Sequence, residues 1–176
     1  MTYHTVNCYL EILGQAFHLR RLAPFSANLR KRLVKSPKIY LRDSGVLHFL
    51  LGLESRKALD THPARGASWE GFVIDQMISA LERVRPASRC WFWRTATGQE
   101  VDLLIDHGQR QVPIEIKLQT TPASDDAKTV RMCMSDLGLA RGYVVHAGRE
   151  RYSLGQGVTA VPAMDLLARP ASTADL

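Results

Sequence analysis

The sequence predicts an α/β sandwich with a mixed sheet, its body running helix, three strands, helix, strand. Three observations predict it. A helical pattern opens at Ser68, carries Trp69, Phe72, Val73, Ile74, Met77, Ile78, Leu81 and Val84, and is ended by Pro86. Three strand-like runs follow, Cys90–Thr95, VDLLID from Val101 and VPIEIK from Val112, separated by turn residues at Thr97-Gly98 and His107-Gly108. A second helix from Ser124 to Leu137, stopped by Gly138, leads into the apolar strand Tyr143–His146. Sequential hairpins give antiparallel neighbours, and a strand that returns through a helix joins in parallel.

Ahead of this body, Val6, Tyr9, Leu10 and Leu13 recur at helical spacing over residues 3–13, with Gly14 as the stop. Alternation in Ala16–Leu22 predicts a strand, Pro24–Lys35 a basic loop or short helix, and KIYLR at Lys38–Arg42 a second strand. A helix, two strands and a basic loop make up the back half of a winged helix. Asp43 or Ser44 can cap a short helix over Val46–Leu53. Glu54 to Gly66 is polar, with Pro63, and reads as a linker. The long helix has apolar residues over more than one stripe, so much of its circumference is buried. Aromatics on both faces of the Cys90–Thr95 run predict a central strand whose Trp91, Phe92 and Trp93 are core rather than base-stacking groups. His107 is expected to be a solvated turn residue. Tyr152–Leu154, Val158–Val161 and a helix Ala163–Ala168 complete the fold, and the tail from Pro170 is expected to fray. The predicted units are a basic segment 1–53, a linker 54–67, a body 68–169 and a tail 170–176.

The 176 residues, 45% of them hydrophobic, suffice for a real core. No apolar run approaches the ~20 residues of a membrane span, and the N-terminus lacks the basic n-region and cleavage site of a secretory signal. Cys8, Cys90 and Cys133 are odd in number and scattered, which fits a reducing cytoplasm and excludes a CxxC zinc site. Residues 1–43 hold eight Lys/Arg against two acids, a net +6, while the remaining 15 bases and 15 acids cancel. A basic front on a neutral body points to a nucleic-acid partner contacted through phosphates by Arg20, Arg21, Arg30, Lys31, Arg32, Lys35 and Lys38. The alternative is a solvated basic face.

The chemistry concentrates in GQEVDLLIDHGQRQVPIEIK, Gly98 to Lys117. Side chains alternate along a strand, so Val101, Leu103 and Ile105 share one face of the first run and Asp102 takes the other. In the second run Val112, Ile114, Ile116 and Leu118 oppose Glu115 and Lys117. Paired strands then bring Asp102, Glu115 and Lys117 onto one surface. Two carboxylates beside a lysine can hold Mg²⁺ (or Mn²⁺) and a phosphate. Glu70 shares a helix face with Ile74, Met77 and Leu81 and can look inward; a first-turn carboxylate favoured by the helix dipole is the plainer reading.

Glu70 in the first helix, Asp102 on the second strand and Glu115-x-Lys117 on the third resemble the PD-(D/E)xK nuclease superfamily. GQEVD, with twelve residues between it and EIK, is similar to that superfamily's GxE(V/I)D…(V/I)E(V/I)K pattern, with Val101 in place of the proline. A resemblance over nearly the whole chain, carried by KSPKIYLRDSG, GASWEGFVIDQM and WRTATGQEVDLLI, is to the C-terminal region of prokaryotic AAA-type ATPases. There an ATPase domain precedes a winged helix and a nuclease-like domain of unassigned function. The resemblance implies a restriction-endonuclease-like αβββαβ core after a partial winged helix whose last helix is Thr5–Leu13. It implies Glu70, Asp102, Glu115 and Lys117 as site residues, the three acids as metal ligands, and Lys117 as the group that orients water or stabilises phosphate charge. The implied function is a metal-dependent DNA endonuclease or DNA-processing domain, or a non-cleaving nucleic-acid-binding or regulatory module for an AAA-type ATPase; a third class is a self-associating scaffold. The chain has no G-x-x-x-x-G-K-[ST] phosphate loop, so it is expected to be a fragment, a truncated product or a stand-alone remnant without ATPase activity of its own.

Overall fold

The helix expected from Ser68 begins three residues earlier, because the Ser68 N–H already bonds to the Ala64 carbonyl at 2.8 Å. In the computed structural model, which describes residues 2–25, 36–108 and 110–176, this helix, α4, spans Arg65–Val84. It packs across a six-stranded sheet built from β3 (Arg89–Arg94), β4 (Glu100–Asp106), β5 (Gln111–Lys117), β6 (Gly142–His146), β7 (Tyr152–Gly155) and β8 (Val158–Pro162). The spatial order is β3-β4-β5-β6-β8-β7. Pairing is antiparallel from β3 through β5, parallel from β5 to β6 and β6 to β8, and antiparallel at β7. The predicted mixed α/β order is therefore present.

The sheet is covered on both faces. Val73, Ile74, Met77 and Leu81 of α4 meet Leu103, Ile105, Ile114, Ile116 and Val145 on one side. The helix α5 (Lys128–Leu137), entered through a 3-10 turn at Ser124–Ala127, covers the other with Val130, Cys133 and Met134. Gly138, at φ 66°, caps α5 in the left-handed conformation that glycine adopts without strain. Tyr143–His146 is interior, as its apolar run implies.

Ahead of the body lie α1 (Tyr3–Gln15), a two-stranded antiparallel sheet of β1 (Leu19–Leu22) and β2 (Lys38–Leu41), α2 (Ser44–Leu50) and α3 (Arg56–Thr61). Asp43 supplies the cap of α2, accepting from the Gly45 and Val46 N–H groups at 2.7 and 3.1 Å. The polar stretch read as a linker contains α3, capped by Ser55.

Four further expectations differ. β3 is not central: it ends the sheet order, and Phe92 and Trp93 are buried, with Trp91 half-buried, while Ala23–Phe25 runs alongside it, Phe25 N–H donating to the Phe92 carbonyl at 2.7 Å. That segment covers an edge that would otherwise be open. The tail does not fray: a helix α6 (Ala163–Leu167) is followed by α7 (Pro170–Ala174), which docks on α4 with Thr173, Ala174 and Leu176 buried. His107 is not solvated at both nitrogens, since Nδ1 shares a 2.8 Å hydrogen bond with Ser88 and Nε2 is buried. Val101 does not share the face of Leu103 and Ile105. Pairing moves from Trp91↔Leu104 to Trp93↔Val101, so β4 carries one extra residue there, and the bulge puts Val101 beside Leu104.

Where β6 leaves the sheet, a Cβ at Gly148 would stand 1.9 Å from the Thr120 carbonyl oxygen and 2.7 Å from the His146 ring. Backbone cannot yield as a side chain tip can. Gly148→Ala is expected to cost about 1–3 kcal/mol or more of unfolding free energy. A urea midpoint equal to the parent's would show that the turn relaxes freely.

Candidate functional site: a carboxylate cluster closed on a lysine

Glu70 lies beyond the first turn of α4, which removes the helix-dipole explanation for it. It turns towards β2, where its Oε1 accepts from Tyr40 Oη at 2.7 Å and Lys38 Nζ at 2.9 Å. Asp102 stands at the bulge of β4. Its Oδ2 accepts the Ile116 N–H at 2.9 Å, and its Oδ1 lies 3.2 Å from Lys38 Nζ. Glu115, on β5, accepts from Lys117 Nζ at 2.7 Å and from Thr129 of α5 at 3.2 Å. The four residues expected from the sequence are thus assembled from α4, β4 and β5.

Asp102 and Glu115 are only 8% and 7% exposed. Burial raises the Asp102 carboxyl to about 7, helped by the neighbouring charges of Glu115 and Glu70 and opposed by Lys38 and the Ile116 N–H. Burial likewise lifts Glu115 above the usual carboxylate range, against the hydrogen bond and charge of Lys117. Burial disfavours the Lys117 ammonium, but Glu115 and Asp102 outweigh it and hold its pKa above the ordinary lysine value. Burial holds both carboxyls above their ordinary range, which makes the cluster the candidate functional site.

Two members were not identified as such from the sequence. Glu100 is 2.5 Å from Lys38 Nζ and also pairs with Arg94. Lys38 was assigned to phosphate contact, yet its ammonium is surrounded by Glu70, Glu100 and Asp102. The signal was present: period-two alternation puts Lys38, Tyr40 and Arg42 on one face of β2, and that face meets the acidic stripe of α4. Arg42 and Arg20 both reach Asp75 Oδ1, at 2.9 and 2.5 Å, and both donate to Ser79 Oγ. Arg20 also pairs with Glu82 at 2.9 Å. Arg21 is exposed and 3.8 Å from Glu11. Arg30, Lys31, Arg32 and Lys35 lie outside the described residues. Arg131, on α5, donates to the Ser124 and Leu154 carbonyls.

As arranged, no three His, Cys, Asp or Glu side chains among the described residues form a group that holds a metal ion. The acids that the resemblance implies as ligands are partly closed on Lys38 instead. No helix among the described residues is long and apolar enough to cross a membrane.

Fold and site together define a mixed α/β domain that buries a carboxylate–lysine cluster against a basic N-terminal segment. The chain belongs to the DUF4143 family, described as a domain of unknown function, which it matches over residues 65–166. Residues 1–57 match a second domain of unknown function, DUF8612. Two mycobacterial relatives, the uncharacterized proteins Rv2008c of Mycobacterium tuberculosis and Mb2031c of Mycobacterium bovis, are each 41% identical over 163 residues. The match covers 93% of this chain and 36% of each relative, so the chain spans about a third of their length. No solved structure matches it significantly.

Proposed function

We propose that this is a nuclease-like DNA-processing domain, with Asp102, Glu115 and Lys117 as its phosphodiester site. One observation carries the reading. Glu70, Asp102, Glu115 and Lys117 come from three separate elements and converge as a cluster in which Asp102 and Glu115 are buried and their carboxyls pushed above their ordinary range. The restriction-endonuclease-like description of the core and the winged-helix description of α1, β1 and β2 belong to the same proposal. So does an AAA-type ATPase as partner, since domains of this family commonly follow AAA ATPase domains.

The donor set suits a hard divalent ion such as Mg²⁺ or Mn²⁺. Asp102 and Glu115 offer buried carboxylate oxygens, and burial raises the pKa of both. When bound, such an ion supplies Lewis-acid polarisation of a phosphodiester and an activated water. The protein's own part is positioning. The Ile116 N–H fixes Asp102, Thr129 fixes one oxygen of Glu115, and the other oxygen holds Lys117. Lys117 is about a third exposed, so its ammonium can meet a phosphate.

Nicking of supercoiled plasmid in Mg²⁺ or Mn²⁺ tests this. Wild type should nick, and Lys117→Ala should slow it by about 100-fold. Salt-sensitive DNA binding without nicking, weakened when Arg30, Lys31 and Arg32 are neutralised, would establish the alternative of a non-cleaving nucleic-acid-binding or regulatory module.

A further inference from the structure

The Lys38 ammonium lies 2.5 Å from Glu100, 2.9 Å from Glu70 and 3.2 Å from Asp102, with the Phe92 ring 5.7 Å away. Burial disfavours its charge, but the surrounding carboxylates more than restore it, so it stays an ammonium. The strand that carries it is fixed on both sides. Arg20 and Arg42 clamp Asp75, and the Tyr40 ring lies flush on α4, where a Cβ at Gly71 would meet Tyr40 Cδ1 at 2.9 Å. A cation held this way is neither a surface phosphate contact nor a loose plug.

We propose that Lys38 is a built-in cation of the acidic site: its ammonium takes the place of a second divalent ion between Glu70, Glu100 and Asp102, leaving one exchangeable ion to Asp102 and Glu115. This rests on the preceding reading that the cluster takes a divalent ion. Charge decides the count. Glu70, Glu100, Asp102 and Glu115 are met by Lys38, Arg94 and Lys117, one positive charge short of balance. One divalent ion turns that deficit into a single excess charge, which matches one phosphodiester. Two would leave an excess of three in a buried site. Without Lys38 two ions would leave an excess of two rather than three, and Glu70, Glu100 and Asp102, which converge on the ammonium, would have no cation between them. Glu70 and Tyr40 are then positioning residues for Lys38, not ligands of a metal.

The test is Mn²⁺ binding to wild type and Lys38→Met, counted from the free-Mn²⁺ electron paramagnetic resonance signal, with thermal midpoints measured with and without the ion. The variant should bind one ion more per chain than wild type. Its midpoint should rise in saturating Mn²⁺ by about 5 °C more than that of wild type. Lys38→Gln, which keeps a hydrogen-bond donor, is measured in parallel in case the methionine variant folds only with the ion. An unchanged ion count in both variants, or variants that stay unfolded in saturating Mn²⁺, overturns the assignment of Lys38. A wild type that binds no ion and nicks no DNA overturns the preceding reading instead.

Discussion

Asp75→Ala is expected to lower the unfolding free energy by about 3–5 kcal/mol, read as a fall in the urea midpoint at constant slope. Asp75 is 4% exposed and sits midway along α4. One of its oxygens takes both the Arg20 Nε and the Arg42 Nε. Removing it leaves two guanidiniums facing each other, with Ser79, the exposed Glu82 and the Phe17 ring as remaining partners. An unpaired buried charge costs far more than the pair contributed, because desolvation is no longer offset. The damage should extend to the acidic cluster. β1 and β2 meet α4 through this clamp, through Lys38 and Tyr40 and through the buried Leu22, so losing the clamp loosens the rest. Replacing Asp75, Arg20 and Arg42 together by apolar residues of similar volume should recover most of the loss. A single-variant cost under about 1 kcal/mol would show that water reaches the clamp.

Asp102→Asn should work the other way and stabilise the protein at pH 8 by about 1–3 kcal/mol. Folding raises the Asp102 pKa from 3.8 to about 7, so the folded state binds the proton more tightly than the unfolded one. The contribution of Asp102 is therefore fully present below its unfolded pKa and lost as pH rises through about 7. Wild-type stability should fall between about pH 4 and pH 7 on this account, and the asparagine variant should lack most of that slope. Glu115, raised in the same direction, leaves a smaller slope of the same sign. The gain is reduced because the asparagine amide is a poorer neighbour for Lys38 than a carboxylate. Urea midpoints at pH 5 and pH 8 decide it. A variant less stable than wild type at pH 8, or one with the full wild-type slope, would mean that Lys38 and the Ile116 N–H outweigh burial. A substitution that removes the central acid and strengthens the fold is the behaviour expected where a site is kept at the expense of stability.

The position of Lys38 also changes the meaning of the basic N-terminal segment. A net +6 over residues 1–43 reads as a polyanion surface. Among its described members, Arg20, Lys38 and Arg42 face inward to Asp75, Ser79, Glu82, Glu70, Glu100 and Asp102. Part of the front segment's charge thus balances the body, and the two parts share one site.

What the sequence determined by itself is what repeats locally. Period-two runs and turn residues set β4 and β5, and a long apolar pattern set α4. Gly138 and Asp43 set a helix end and a helix start, and the spacing of Glu70, Asp102, Glu115 and Lys117 put four polar groups on elements that must meet in such a sheet. These features follow from backbone geometry and from which residues leave water, both of which act over a few positions. The tertiary structure alone decided the rest. It gave Lys38 to Glu70 and Asp102, which lie 32 and 64 positions away. It gave Arg20 and Arg42 to Asp75, laid Ala23–Phe25 along the edge of β3, and docked the last helix on α4 instead of leaving it frayed. The bulge that puts Val101 beside Leu104 also depends on the partner strand. A charged side chain has no periodic signature of its partner. Coulomb attraction and the cost of desolvation choose that partner only after the apolar faces have fixed which elements lie together.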